Sequence, residues 1–284
     1  MFSAHAPALV DHIYLIDEYP PRGGHSIIRL TEKSPGGAGA NVAHNLASLG
    51  VRSEIFTTLG RDEDAEYFVK NTSAIVEAEI TDDKTGRVHV FVDKDGERTF
   101  FVEPNAAGKP FVRVKGGDYL YLDPFPSEKS FEVQINEAEN FGGFVILNPG
   151  FPYSNLGFEK LKQILRHVDM VIMSAEEFSI LRVETADFLK YVDYLIVTQG
   201  RLGSACYTKN GSFQSPAFPA RVVDTTGAGD AFAAGFIFGF MNNYPIEVCL
   251  KLGNFCGAYN VERVGARNFP SRGEIGEFLA RVLR

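Results

Sequence analysis

The chain has 284 residues, of which 45% are hydrophobic and 23% charged, and its formal net charge is −8 at pH 7. These values are typical of a globular protein with a sizeable core, and the acidic balance argues against a nucleic-acid partner, which would require a basic surface. The three cysteines, Cys206, Cys249 and Cys256, are too few for a disulfide framework and match no zinc-binding spacing.

The first twenty residues lack the basic start and the long apolar core of a signal peptide. No run of about 18 apolar residues occurs, so the sequence predicts no membrane span. We therefore expect a cytoplasmic protein with no membrane partner.

The first hundred residues predict several strands and one glycine-initiated helix. Phe2 to Val10 is an apolar run that predicts a buried strand, ended by Asp11 at an edge where ligands often bind. Gly36 and Gly37 begin a helix that Gly50 ends. Asn41 lies in the first turns of this helix, where it could cap the helix or bind a substrate hydroxyl. Further strands are predicted over residues 12–16, 26–30, 52–59, 72–80, 86–92 and 97–102, with a helix over 62–71.

The best hairpin signal is the Asp95-Gly96 pair, which lies between two alternating segments. Together with residues 12–34, this hairpin could form a small separate sheet inserted in the main fold.

From Asp118 onward, short apolar runs alternate with helical periods, which predicts a mostly parallel sheet covered by helices on both faces. The predicted strands are 119–122, 144–147, 168–173, 193–197, 204–208 and 212–215. The predicted helices are 127–140, 156–166, 175–181, 185–190, 246–261 and 272–283.

The stretch from Asp224 to Phe232 reads Asp-Thr-Thr-Gly-Ala-Gly-Asp-Ala-Phe. The pattern predicts a strand ending at residue 223, a tight turn of small residues, and a buried helix over 231–241. Gly227 and Gly229 would allow close backbone approach, and the free amides of the first helical turn make an anion site. An acid at Asp230, inside that site, suggests a base that accepts a proton from a hydroxyl attacking phosphorus.

Four stretches together resemble the ribokinase family of carbohydrate kinases, the PfkB group. They are the glycine-rich segment 36–43, the turn 197–203, the signature 224–232, and the segment from Asn254 through 261–266. Their order and spacing span most of the chain. The resemblance implies one α/β ribokinase-like domain over residues 1–284, with a small β-sheet lid formed by residues 12–34 and 76–104.

The resemblance also implies ATP-dependent phosphorylation of a sugar hydroxyl, most often a hydroxymethyl group. Asp230 would be the general base, and the amides of Gly227, Ala228 and Gly229 would hold the charge on the transferred phosphoryl group. The implied sugar-binding residues are Asp11, Gly36, Gly37 and Asn41. The implied nucleotide-binding residues are Thr198, Gly200, Gly203 and Asn254.

One departure from the family pattern affects Mg²⁺. An Asn-x-x-Glu stretch is usual in the family, and here Ser174 replaces the asparagine while Glu177 keeps the acid. The resemblance implies that Glu177 acts on Mg²⁺ indirectly, through water. Some members also bind a monovalent cation, for which Asp224 and Thr226 are in place.

Three other functions remain open from the sequence. A nucleoside kinase shares these motifs, and Tyr14, Phe91, Phe100 and Phe101 could stack on a base or form the core of the lid. A phosphosugar acceptor could use Arg22, Lys33, Arg87 and Arg98, although these charges are more typical of a solvated face. A catalytically silent sugar or nucleotide sensor is the third alternative, favoured by Ser174 and opposed by Asp230. The exposed lid also predicts a homodimer, since a sheet edge and an apolar face need cover.

Overall fold

The structure is a computed structural model and describes residues 1–94, 98–111 and 113–283. Within these residues the strands form a nine-stranded central sheet and a four-stranded small sheet. The central strands are β1 (Phe2–His5), β4 (Ser53–Leu59), β5 (Ile75–Ile80), β8 (Tyr119–Leu122), β9 (Phe144–Leu147), β10 (Met170–Ser174), β11 (Tyr194–Thr198), β12 (Ser204–Thr208) and β13 (Gly211–Ser215). The small-sheet strands are β2 (Leu9–Ile16), β3 (Ile28–Gly36), β6 (Gly86–Val92) and β7 (Arg98–Glu103).

The central sheet has the order β13-β12-β11-β10-β9-β8-β1-β4-β5. Its strands from β11 to β5 are all parallel, and β12 and β13 add an antiparallel edge. This arrangement confirms the mostly parallel sheet that the alternation after Asp118 predicts. Parallel strands place their carboxyl ends at one edge, where ligands of open α/β sheets bind.

Helices cover both faces of the central sheet. They are α1 (Ala38–Ser48), α2 (Glu63–Lys70), α3 (Ser130–Asn140), α4 (Gly150–Ser154), α5 (Phe158–Leu165), α6 (Ala175–Leu181), α7 (Thr185–Phe188), α8 (Ala228–Met241), α9 (Ile246–Val261) and α10 (Arg272–Val282). Met170 and Ile172 of β10 pack in one core cluster with residues of α1, α8 and α9, whereas Val171 and Met173 pack in the other with residues of α3 and α5. Successive side chains of a strand point to opposite faces of the sheet, so alternate residues of β10 fill two different cores.

Helix α8 is apolar on all sides because it is buried among other helices. It contacts α1 on one side and α9 on the other. A β-carbon at Gly235 would lie 2.7 Å from Cys256 Sγ, so the small residue permits the close approach of α8 and α9. All three cysteines are free and buried, which agrees with a packing role.

Three predictions about the elements need correction. The single strand Phe2–Val10 is two strands, because Pro7 has no amide donor for the ladder and the chain passes there from the central sheet to the small sheet. Residues 75–80 belong to the central sheet, where they pair in parallel with β4, so the small sheet takes only 86–92 and 98–103 from the predicted 76–104 segment.

The strand predicted before the 224–232 stretch is also wrong. Residues 216–227 are irregular, and Val222 and Val223 are 64% and 53% exposed. The Asp95-Gly96 turn lies outside the described residues, although β6 and β7 on either side of it pair antiparallel as expected.

Candidate active site

The first turn of α8 faces two cavities. Gly227 has φ of 74°, and a β-carbon there would lie 2.5 Å from Ala266 Cα, so this position requires glycine. At Gly229, by contrast, a β-carbon would meet no atom within 4 Å. The amide of Ala228 donates to Thr225 O over 3.3 Å, whereas those of Gly227, Gly229 and Asp230 have no acceptor among the described residues. The turn therefore presents free donors at the positive end of a 14-residue helix.

Asp230 lies in this turn and is held by Asn41 of α1. Asn41 Nδ2 donates to Asp230 Oδ2 over 2.8 Å. Burial raises the pKa of Asp230 to about 6, against the opposing effects of the Asn41 hydrogen bond and the nearby charge of Arg267. The hydrogen bond also fixes the direction of the carboxylate. A carboxylate with a pKa near neutrality suits proton acceptance at physiological pH.

The predicted sugar-binding residues meet beside Asp230. A β-carbon at Gly36 would lie 2.5 Å from Asp11 Oδ1, so glycine leaves room for that carboxyl group. Gly37 has φ of 95°, and a β-carbon there would lie 2.2 Å from Pro7 O. Burial raises the pKa of Asp11 to about 7, and Asp230 adds to this effect. The structure thus brings Asp11, Gly36 and Asn41 to the same side of α8 as Asp230.

An acceptor cavity of about 340 Å³ lies between the small sheet and the loops at 223–226 and 264–266. Polar and charged residues form part of its lining, among them Asp11, Ser34 and Asp224. The remaining wall is largely apolar. Its apolar lining consists of Ile13, Leu15, Val90, Val92, Phe100, Val223 and Val264.

The aromatic residues of the small sheet divide between its two faces. Phe100 lines the acceptor cavity. On the opposite face, Tyr14 stacks on Phe91 with ring centroids 4.9 Å apart, and Phe91 meets Phe101 edge to face at 5.8 Å. Three of the four aromatics therefore pack with one another, and one is available to a ligand in the cavity.

Three of the four basic residues predicted on or near the lid are paired with acids, and the prediction of a solvated face is wrong for Arg87 and Arg98, which are half-buried. Lys33 Nζ and Arg87 Nε lie 2.7 and 2.5 Å from the two carboxylate oxygens of Asp64, whose side chain is 1% exposed. Arg98 pairs with Asp224, whereas Arg22 and the paired Lys33 are exposed to solvent. These internal pairs weaken the case for a phosphosugar acceptor.

Asp224 organises the loop that leads into the first turn of α8. Its Oδ1 accepts from Thr226 N over 2.7 Å, and its Oδ2 accepts from Gly265 N over 2.8 Å. Arg98 Nη1 lies 2.5 Å from Asp224 Oδ1 and also contacts Thr226 Oγ1. A monovalent cation at Asp224 and Thr226 does not fit this arrangement, because the Arg98 guanidinium already supplies the positive charge there.

The nucleotide cavity has a volume of about 670 Å³ and lies on the other side of the α8 turn. Its lining includes all four residues predicted for the nucleotide: Thr198, Gly200, Gly203 and Asn254. Gly203 has φ of 103°, and a β-carbon there would lie 2.1 Å from Ser215 O. Asn254 has a structural task as well, since its Nδ2 donates to Ser215 O and Pro216 O over 3.0 and 3.2 Å.

A third cavity, of about 310 Å³, contains Glu177, Asp123, Asn148 and Asp230. Ser174 and Glu177 form a capping box at the start of α6: Ser174 Oγ accepts from Glu177 N over 3.1 Å, and Glu177 Oε2 accepts from Ser174 N over 2.8 Å. Ser174 thus has a local role that needs no metal.

The carboxylates of this third cavity fit a water-coordinated Mg²⁺. Nowhere in the described ranges do three acidic, histidine or cysteine side chains come close enough to enclose a metal ion. Mg²⁺ commonly keeps several waters and takes its other ligands from one or two carboxylates and from substrate phosphates. Glu177 and Asp123 offer oxygen atoms of that kind.

Two polar residues of the candidate site are absent from the sequence-based prediction. Asp123 is buried at the end of β8, accepts from Gly39 N over 2.8 Å, and has its pKa raised to about 7 by burial. Arg267 donates to Asn41 Oδ1 over 2.8 Å. Both are single polar residues in irregular segments, where no periodicity marks them. The position of Asp123 directly after a buried strand is the one signal that could have found it.

Comparison with known proteins agrees with this geometry. The family model for pfkB family carbohydrate kinases matches residues 8–272. A nucleoside kinase of Methanocaldococcus jannaschii is 29% identical over 284 residues, which cover 95% of this chain and 93% of the relative. An ATP-dependent ribose-1-phosphate kinase of Halopiger xanaduensis is 29% identical over 279 residues, which cover 93% of each chain.

Solved structures show the same fold. The crystal structure of the Methanocaldococcus jannaschii nucleoside kinase, an archaeal member of the ribokinase family, matches with a TM-score of 0.88 and 28% identity over 99% of this chain and 98% of that one. Ribokinase from Thermotoga maritima matches with a TM-score of 0.87 and 25% identity over 99% of each chain.

Fold, family match and relatives together define the chain as a kinase, a phosphotransferase with a hydroxyl group as acceptor. It belongs to the pfkB family of carbohydrate kinases and has the ribokinase-like fold. Within the described part of the chain, no helix is both long enough and apolar enough to cross a membrane.

Proposed function

We propose that this kinase transfers the γ-phosphoryl group of ATP to a hydroxymethyl group of a sugar, with Asp230 as the general base. The observation that carries the proposal is the position of Asp230: it lies in the first turn of α8, held by Asn41, between the nucleotide cavity and the acceptor residues. Gly229 and Thr198 line both the nucleotide cavity and the cavity that contains Asp230.

The reaction proceeds by in-line displacement at phosphorus. The acceptor oxygen forms a bond to the γ-phosphorus, its proton passes to the Asp230 carboxylate, and the bond from the γ-phosphorus to the bridging oxygen breaks to release ADP. The free amides of Gly227, Gly229 and Asp230 stabilise the charge on the transferred group, whereas the amide of Ala228 holds the turn through its bond to Thr225. Mg²⁺ bound with the nucleotide would neutralise the phosphate charge, with Glu177 contacting it through water.

The sugar would bind beside Asp11 in the acceptor cavity. The carboxyl group of Asp11 forms no hydrogen bond with the described residues and is available to sugar hydroxyls, and Gly36 leaves it the space to do so. With a pKa near 7, Asp11 can accept or donate a hydrogen bond at neutral pH.

A nucleoside acceptor is the second candidate, and the apolar wall of the acceptor cavity favours it. Phe100, Val90 and Ile13 extend the cavity beyond Asp11 with surface that suits a heterocyclic base better than a bare sugar. The relative from Methanocaldococcus jannaschii, named a nucleoside kinase, agrees with this choice.

The test is a panel of pentoses, hexoses and nucleosides with ATP and Mg²⁺, read as ADP release. Turnover of at least one sugar or nucleoside is expected, and the Asp230→Asn variant should lose it while still binding nucleotide. Wild-type protein that binds an acceptor without releasing ADP would indicate a sensor instead. Unchanged turnover in Asp230→Asn would remove Asp230 from the role of base.

We further propose that two copies pair through the small sheet. Strand β7 is an edge strand, and Phe101 and Val102 on it are 57% and 50% exposed. Exposed apolar edges of this kind are usually covered. Light scattering at micromolar concentration should report a dimer, and a monomer would contradict the pairing.

A further inference from the structure

Arg267 is a largely buried charge that no step of the proposed reaction uses. It lies one residue after Ala266, which packs against Gly227 in the turn before α8. Its Nη1 donates to Asn71 O and Thr72 Oγ1 over 2.8 and 2.9 Å, and its guanidinium lies 5.5 Å from the ring centroid of Phe68. Its Nη2 is buried and has no partner. Holding a guanidinium in this way is costly and calls for an explanation.

The remaining nitrogen of the guanidinium, Nε, determines how Asn41 is oriented. Nε donates to Asn41 Oδ1 over 2.8 Å. If the Asn41 amide were reversed, a donor would face the Nε of Arg267 and an acceptor would face the carboxylate of Asp230. The amide therefore has one favourable orientation, with Oδ1 towards Arg267 and Nδ2 towards Asp230.

The orientation of Asn41 in turn gives the two carboxylate oxygens of Asp230 different environments. Oδ2 accepts from Asn41, whereas Oδ1 has no hydrogen bond to any described residue. One oxygen is thus held in place and the other is left for the proton of an incoming hydroxyl. Proton transfer in a phosphoryl-transfer site requires a base that is held in a fixed position with one oxygen free to accept the proton.

We propose that Arg267 is a positioning residue of the reaction, which sets the Asn41 amide so that Asp230 is held by Oδ2 and accepts the proton at Oδ1. This inference rests on the proposed function, because it assigns Arg267 a task only if Asp230 is the base.

The charges around Asp230 support this assignment. Acidic groups face it from three elements: Asp11 on β2, Asp123 after β8 and Glu177 on α6, with the phenol of Tyr121 also nearby. Arg267 is the cation that acts on Asp230, and it also acts on Asp11, yet no carboxylate of the described residues lies within 4.0 Å of its guanidinium. Burial lowers the pKa of Arg267 to about 10, so it stays charged at neutral pH.

The test compares Arg267→Met, Arg267→Lys and wild type across pH 5 to 9. In Arg267→Met the acid limb of kcat/KM should move up by about one pH unit, since an opposite charge at this range shifts a pKa by about that much. At pH 6.5 kcat should fall about tenfold or more while KM for ATP stays within about twofold, because the interaction serves the chemical step. Arg267→Lys keeps the charge and a hydrogen-bond donor, so its acid limb should move by only about half as much as that of Arg267→Met.

A second readout does not depend on turnover. Carboxyl-carbon NMR of protein labelled at aspartate, with the Asp230 signal assigned by its loss in Asp230→Asn, reports the titration of Asp230 directly. Its midpoint should rise in Arg267→Met by the same amount as the acid limb. Arg263→Met is the matched control, since Arg263 is exposed in the same segment and stacks on Tyr259.

These measurements separate the two ideas. A shifted titration without turnover of any acceptor would keep the effect of Arg267 on the Asp230 carboxyl group and remove Asp230 from the role of base. Turnover that depends on Asp230, with titration and acid limb unchanged in folded Arg267→Met, would overturn the positioning role. If Arg267→Met does not fold, Asn41→Ala keeps the Arg267 bonds to Asn71 and Thr72 and must show the same upward displacement; its absence would equally overturn the inference.

Discussion

The guanidinium of Arg98 lies 2.5 Å from the carboxylate of Asp224, which joins the small sheet to the loop that begins the first turn of α8. Both side chains are largely shielded, at 22% and 4% exposure, so dissolved salt screens this pair less than an ordinary surface ion pair. Asp224 also holds the amides of Thr226 and Gly265, and Arg98 therefore supports the geometry of the whole loop.

This pair predicts that the enzyme needs no monovalent cation. Replacing potassium by tetramethylammonium at constant ionic strength should change kcat by less than about twofold, because the Asp224 charge is already balanced. Arg98→Gln should lose activity about tenfold or more and regain part of it with added potassium. The control is Arg52→Gln, an exposed arginine paired with Glu54 away from the cavities. Strong potassium activation of the wild type would contradict this prediction.

Replacing Gly229 by alanine should lower activity without lowering stability. The space beside its α-carbon is empty, and alanine is favoured over glycine in a helix, so Gly229→Ala should fold with an unchanged or slightly higher melting temperature. The added methyl group would enter the space proposed for the phosphates, and kcat/KM for ATP should fall by about a hundredfold. Gly276→Ala is the matched control, since its surroundings in α10 are equally open and it lines none of the cavities described above. Equal activities of the two variants would contradict the phosphate assignment.

The raised pKa of Asp230 predicts opposite effects on activity and stability. A base must be deprotonated, so kcat should decline as pH falls through about 6. In the unfolded chain this carboxyl has its ordinary pKa of 3.8, so its burial costs stability above that pH and most fully above about 6. Asp230→Asn should therefore be inactive but more stable by about 1 kcal/mol at pH 8, with little gain at pH 4. Thermal unfolding at both pH values tests this, and a gain confined to low pH would contradict it.

Phe100 and Phe101 lie on opposite faces of β7, so we expect different effects when each of them is replaced by serine. Phe100→Ser should raise KM for nucleosides about tenfold and leave KM for free ribose within about twofold, since it removes apolar surface only beside the base. Phe101→Ser should leave both KM values unchanged and weaken the proposed dimer. Steady-state kinetics and light scattering on both variants give the comparison. An equal loss for ribose and nucleoside in Phe100→Ser would contradict the nucleoside proposal.

The sequence predicts elements better than it predicts long-range polar contacts. Alternating apolar runs and helical periods after Asp118 give the central sheet, because burial on both faces requires those patterns. They do not show that Pro7 divides one apolar run between two sheets. Val222 and Val223 give a false strand signal because their apolar side chains line cavities rather than a core.

The sequence predicts the candidate site best at positions where crowding around the backbone allows only glycine. Gly36, Gly37 and Gly227 are needed because a side chain would strike Asp11, Pro7 and Ala266. Arg98 and Arg267 are different, since their partners lie far away in the chain and no local pattern records the pairing. Ser174 stands where the family pattern has an asparagine, and the sequence alone gives no reason for the difference. The structure shows that Ser174 forms a capping box with Glu177.

The two substrate cavities differ in which part of the molecule encloses them. The acceptor cavity takes a wall from β2, β6 and β7, whereas the nucleotide cavity is lined by residues 198–261 alone. If the small sheet swings away as a unit, breaking the Arg98–Asp224 pair, the acceptor cavity opens and the nucleotide cavity keeps its walls. Nucleotide exchange is then independent of this swing, and the entry of the acceptor and the departure of its phosphorylated product set the timing of each catalytic cycle.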